Sequence, residues 1–175
     1  VVFDAVYSSS LKRAQETARE ILRVISPDRD PKSILVTDKL RETDLPAWQG
    51  LAFQYVRETF PEEYRLWKQS PHLFEMKLHA DGEIAEGEIA SHQLPITNYP
   101  RTTFFPALDL YQRVREFWQE VLPRHQGQTI LLVTHGGTNR ALISTALGMK
   151  CDRYHCIQQS NCGINVLNFP DGSLE

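Results

Sequence analysis

Thr129-Ile130-Leu131-Leu132-Val133-Thr134-His135-Gly136-Gly137 is a nearly all-apolar run broken by a histidine and two glycines. Such a run marks a strand buried on both faces, and it predicts a central strand of a parallel sheet. Downstream, Ala141, Leu142, Thr145, Ala146 and Leu147 restart a helical period that ends at Gly148. Upstream, Leu108, Tyr111, Val114, Trp118, Val121 and Leu122 form an amphipathic stripe closed by Pro123. At the start of the chain, residues 1–8 are apolar and β-prone and run into Ser9 and Ser10, whose hydroxyls suit a helix N-cap. Leu11, Ala14, Ala18, Ile21, Leu22 and Ile25 then recur at three and four until Pro27, and residues 34–37 form a short β-prone run. Strand, helix, strand in that order builds a parallel sheet with a right-handed crossover. Gly163 to Phe169 alternates as a half-buried strand before the Pro170-Asp171-Gly172 turn. The fold class expected is α/β, a three-layer sandwich with a mostly parallel sheet flanked by helices.

Two weaker helical stretches occupy residues 50–69 around Pro61, and the periodicity then fails from Lys77 to Thr103. That segment reads as a long surface loop, with Gly82-Glu83-Ile84-Ala85 repeated at Gly87-Glu88-Ile89-Ala90 too briefly for a solenoid. A loop of this length is a solvated excursion or a lid. One domain is therefore expected over 1–175, with 70–105 as a cap or loop insertion. Nineteen Lys and Arg against 22 Asp and Glu leave a net charge of −3 without a basic block, which argues against nucleic-acid or polybasic membrane partners. No apolar run has the length of a membrane span. The three cysteines, Cys151, Cys156 and Cys162, form neither a disulfide framework nor a zinc knuckle. They favour a reducing, cytoplasmic setting.

In α/β sheets ligands gather at the carboxyl ends of strands, where helix N-termini offer free N–H groups. Two such ends carry candidate residues. Ser8-Ser9-Ser10-Leu11-Lys12-Arg13 puts a guanidinium in the first turn of a helix, where it can hold a phosphate by a forked pair of hydrogen bonds. His135-Gly136-Gly137 sits at the mouth of the buried strand, its glycines allowing close backbone approach. Glu42, just past the second strand, is a third candidate: an unpaired carboxylate in a partly dry cleft suits a general acid. A surface pair with Arg41 is the bland alternative. The set Arg13, Glu42 and His135 has no metal-ligand logic, and neither metal nor cofactor is implied.

Three blocks resemble the histidine phosphatase superfamily, the phosphoglycerate-mutase-like fold: Val6 to Ala18, Leu40-Arg41-Glu42 to Trp48-Gln49-Gly50, and Val133-Thr134-His135-Gly136-Gly137. The run from Leu40 to Leu51, with Gln159-Ser160-Asn161-Cys162-Gly163, is most similar to plant and cyanobacterial sugar-phosphate phosphatases such as the 2-carboxyarabinitol 1-phosphatases. By position the resemblance makes Arg13 the phosphate-binding arginine and Glu42 the proton donor. It makes His135 the second histidine that clamps the phosphoryl group beside Gly136. It implies hydrolysis of a small phosphate monoester through a phosphohistidine. The family's Arg-His-Gly triplet, which holds the nucleophile, does not occur; Arg124-His125-Gln126-Gly127 has an extra Gln and lies before the buried strand, at the wrong end of the sheet. The expectation is that the first strand, nucleophile loop and a helix precede Val1, and that residues 1–175 alone do not turn over. Its open strand edges would then make it poorly soluble or pair with another chain, and a homodimer is the partner expected. The rival readings are a phosphoglycerate mutase and a non-catalytic phosphate-ester-binding or regulatory domain. Thr43 to Trp48 lacks the mutases' Arg-x-Tyr-Gly pattern.

Overall fold

A computed structural model describes residues 2–77, 103–170 and 172. The first strand, β1 (Ala5–Ser9), leads into α1 (Lys12–Ile25) and then β2 (Leu35–Thr37). Short helices α2 (Phe53–Thr59) and α3 (Pro61–Gln69) break at Pro61, as the sequence predicts. A two-residue pair follows, β3 (Met76–Lys77) antiparallel to β4 (Thr103–Phe104). Next come α4 (Pro106–Val121), β5 (Ile130–Val133) and α5 (Gly136–Ala146), then a 3₁₀ helix over Cys151–Cys156. Gly148 takes φ 65°, the left-handed value that a helix-ending glycine supplies at no steric cost.

The main sheet is parallel in the order β2-β1-β5. Tyr7 is the register point, opposite Leu35 on one side and Leu132 on the other. Alternation along β5 feeds both faces. Leu131 and Val133 pack with Ala14 and Ala18 of α1, whereas Ile130 and Leu132 join the larger core built on α4 and α5. This is the expected α/β arrangement, helices on both sides of a parallel sheet.

Several expectations need correcting. Among the described residues β1 is the middle strand of the sheet, and β5 pairs with β1 alone. Its apolar composition reports cover on two faces, which an outer strand can have as readily as an inner one. Residues 163–169 form no strand: the alternation sets side-chain direction, but a ladder also needs a partner edge. Ile164 and Val166 are exposed there, while Phe169 lies against Trp118 at 5.1 Å between ring centroids. Leu11, not a serine, is the N-cap of α1, and no side chain caps it. On α4, Leu108 is exposed and Leu110 and Phe117 join the buried stripe in its place. As for the insertion, Phe74, Met76 and Phe104 are core residues, while 78–102, including the Gly-Glu-Ile-Ala repeat, lies outside the described residues.

No helix among the described residues is long and apolar enough to cross a membrane. Trp118 joins the α4 and α5 layers: its Nε1 donates to the Leu142 carbonyl at 3.3 Å and to Thr145 Oγ1 at 3.1 Å. Trp118→Ala should therefore cost about 3–5 kcal/mol in a denaturant titration, the range for a buried aromatic. Trp118→Phe, which keeps most of the packing, should lose much less.

Candidate active site

The C-terminal ends of β1 and β5 lie side by side, with Ser8 opposite Val133. Ser9 ends β1 and His135 follows β5 by two residues, so the two side chains meet: His135 Nε2 is 2.8 Å from Ser9 Oγ, and both residues are buried. The Ser9 hydroxyl also accepts the Leu11 N–H at 3.2 Å. Read from the sequence as a cap, Ser9 is thus the partner that orients His135. His135 itself is the N-cap residue of α5, in extended conformation.

Glu42 arrives from the turn after β2 and lays its carboxylate over the first turn of α5. Oε2 accepts the Gly137 N–H at 3.2 Å. Oε1 accepts the N–H groups of Thr138 at 3.1 Å and Thr43 at 2.8 Å. The unpaired carboxylate expected from the sequence is therefore a well-bonded one, and Arg41 pairs with Asp38 rather than with it. The α5 amides expected to cradle a ligand are in part taken by Glu42. Gly136 N–H is the first-turn amide that Glu42 leaves alone.

Gly137 explains the closeness. A Cβ there would fall 2.4 Å from Glu42 Oε1, 2.4 Å from Thr43 Oγ1 and 2.6 Å from the Tyr154 hydroxyl. At Gly136 it would meet only Gln159 Cβ, at 3.9 Å. Close approach thus holds at one glycine of the pair, and the group that approaches is the protein's own carboxylate.

Arg13 lies in the first turn of α1 and is exposed. It borders an open groove along α1 with Glu16, Thr17 and Glu20, which Glu42 and His135 do not line. Burial, the largest cause, holds the His135 imidazole below its ordinary range; Arg13 and Arg41 push the same way and Glu42 opposes them. Among the described residues no group of three or more His, Cys, Asp or Glu could hold a metal. His125 stands in the turn before β5, hydrogen-bonded to the Tyr7 hydroxyl at 2.8 Å and to Gln128 at 2.7 Å.

Arg113, Thr43 and Tyr154 went unnoticed in the sequence. From α4, Arg113 donates to the carbonyls of Asp38, Arg41 and Glu42 at 3.1, 3.2 and 3.4 Å. Thr138 Oγ1 also donates to the Arg41 carbonyl, at 2.6 Å. These contacts join residues far apart in the chain, and periodicity carries no trace of them.

Residues 1–87 and 92–175 match the histidine phosphatase superfamily (branch 1), and the chain belongs to that family. It is 29% identical over 167 residues to the 2-carboxy-D-arabinitol-1-phosphatase of Triticum aestivum, across 95% of this chain and 28% of that protein. With phosphoserine phosphatase 1 of Hydrogenobacter thermophilus it shares 28% identity over 168 residues, covering 96% of this chain and 65% of the relative. Bacillus stearothermophilus YhfR superposes with a TM-score of 0.62 at 27% identity, over 88% of this chain and 61% of that one. The 175 residues thus span less than two thirds of each of these relatives.

Two outcomes follow. Gly137→Ala should destabilise by about 1–3 kcal/mol, the overpacking range, with Gly136→Ala close to neutral; paired urea titrations read both. Stability should also fall on acidification. Burial, then the Lys68 charge, lowers His155 from 6.5 to about 4, and His135 is lowered too. Unfolded imidazoles take a proton near 6.5 that the folded ones refuse, so the stability is full above 6.5 and is lost as pH falls towards 4. Urea midpoints across that window should show the loss, and His155→Gln should flatten it.

Proposed function

We propose that this chain is part of a phosphatase that hydrolyses a small phosphate monoester, a sugar phosphate or related metabolite, through a phosphohistidine. The nucleophilic histidine would lie outside residues 1–175, since the chain has no Arg-His-Gly triplet. Glu42 protonates the leaving ester oxygen as the P–O bond breaks; in the second step it takes a proton from the water that attacks the phosphohistidine, releasing inorganic phosphate. Arg13, His135 and the Gly136 N–H hold the phosphoryl oxygens and spread their charge. A phosphate dianion beside His135 would offset the repulsion from Arg13 and Arg41 and favour the imidazolium. The observation that carries this reading is the meeting of Glu42 and His135 at the start of α5: Glu42 accepts the N–H groups of Gly137 and Thr138, and His135 is the N-cap residue of the same helix. The phosphatase names of the Triticum and Hydrogenobacter relatives support the reaction class. Three free cysteines suit a cytoplasmic setting. No nucleic-acid or membrane partner is part of this reading; a homodimer is.

The test is turnover by the full-length protein on a panel of sugar phosphates, phosphoserine and phosphoglycerates, with mutase products assayed in parallel. Glu42→Gln should lower kcat by about 10²–10⁴-fold, the usual contribution of a general acid. Arg13→Lys should weaken inorganic phosphate binding, because an ammonium cannot make the forked contact. Turnover that survives both Glu42→Gln and His135→Ala would overturn the assignment.

A further inference from the structure

We infer that Tyr154 is a positioning residue for Glu42, acting through the Thr43 hydroxyl, and that Oε2 is the carboxylate oxygen that carries the transferable proton. The inference rests on the reading of Glu42 as the general acid.

Tyr154 lies in the Cys151–Cys156 turn and is 1% exposed. Its ring is fixed on several sides, with Trp67 at 5.4 Å, His155 at 4.8 Å and the Arg140 guanidinium at 5.8 Å over the face. Arg140 is held in turn by the Ile157 carbonyl at 2.9 Å. An aromatic ring packed this way loses little further entropy in aiming its hydroxyl. That hydroxyl is 2.8 Å from Thr43 Oγ1, which is itself 3.4 Å from Glu42 Oε1.

Burial raises the Tyr154 phenol to about 12, so it remains a donor at any working pH. With the phenol donating to Thr43, the threonine hydroxyl turns its own hydrogen towards Glu42, and the chain runs Tyr154 to Thr43 to Oε1. Oε1 then faces three donors: the Thr43 hydroxyl, the Thr43 N–H and the Thr138 N–H. Oε2 faces one, the Gly137 N–H at 3.2 Å. A carboxyl group protonates on the oxygen with fewer donors aimed at it, since a proton on the other would displace hydrogen bonds already made. The acid form is thereby presented through Oε2. Gly137 is what lets the three groups converge, because they fill the space a Cβ would take.

The experiment is Tyr154→Phe in the full-length protein, assayed on an alkyl phosphate and on p-nitrophenyl phosphate. An alkoxide needs its proton to leave; p-nitrophenolate does not. For the alkyl substrate kcat should fall about tenfold with KM nearly unchanged, while p-nitrophenyl phosphate turnover should hardly change. Glu42→Gln should show the same contrast, larger. Thr43→Val should match Tyr154→Phe or exceed it, and the double variant should cost no more than Thr43→Val alone. If Glu42→Gln affects both substrates equally, the general-acid reading fails. If Glu42→Gln shows the contrast and Tyr154→Phe does not, the positioning role fails. A second measurement needs no turnover: in the full-length protein, the amide proton shifts of Gly137 and Thr138 should move in Tyr154→Phe and stay put in the exposed control Tyr55→Phe. Unmoved amides in Tyr154→Phe would equally overturn the inference.

Discussion

A carboxylate resting on the first turn of a helix joins parts of this chain that lie 95 residues apart. Glu42 brings negative charge to the positive end of α5 and satisfies N–H groups that have no partner within the helix. Such a contact contributes about 0.3–1 kcal/mol at an exposed helix end and more when partly buried, as here. Its larger effect is geometric. It fixes where the turn after β2 meets the turn after β5, and so places Glu42 against Gly137 and Thr138, two and three residues past His135. A side chain at position 137 would forbid the contact, which makes the glycine a requirement of packing.

The turn carrying Glu42 is held from behind as well as from the front. Its carbonyls at 38, 41 and 42 point towards α4, where Arg113 collects all three in a single guanidinium. Thr134 Oγ1 takes the Leu40 carbonyl at 3.1 Å. Backbone acceptors in a turn that is neither helix nor ladder need partners of this kind. Leu40 meanwhile is fully buried in the main core. The carboxylate is thus mounted on a segment with little freedom, although that segment has almost no regular structure.

Much of the architecture was legible. The helical stripes at 11–25 and 108–122 needed only periodicity, and the order strand, helix, strand needed only the crossover rule. The sheet order was not, because the apolar character of Ile130 to Val133 says how many faces are covered and nothing about neighbours. Residues 163–169 failed for a related reason: alternation is a property of one strand and a ladder a property of two. Of the candidate site, Glu42 and His135 were visible through their neighbours in sequence; Arg13 was visible in the same way, but it borders a groove along α1 that the other two do not line. The Ser9 hydroxyl was visible too but assigned to its own helix, since a serine before a helix is so often a cap. Tyr154 and Arg113 gave no signal, as each acts across a contact that only the folded chain makes.

The small ladder between Met76 and Phe104 brings the two ends of the intervening stretch together over buried Phe74 and Met76. Phe74, Met76 and Phe104 belong to the same core as the buried stripe of α4, so packing fixes where the chain leaves the fold at 77 and re-enters it at 103. A pair of two-residue strands is too short to stand alone in water, so this ladder holds because its side chains reach the core, and the points of exit and entry inherit the rigidity of that core.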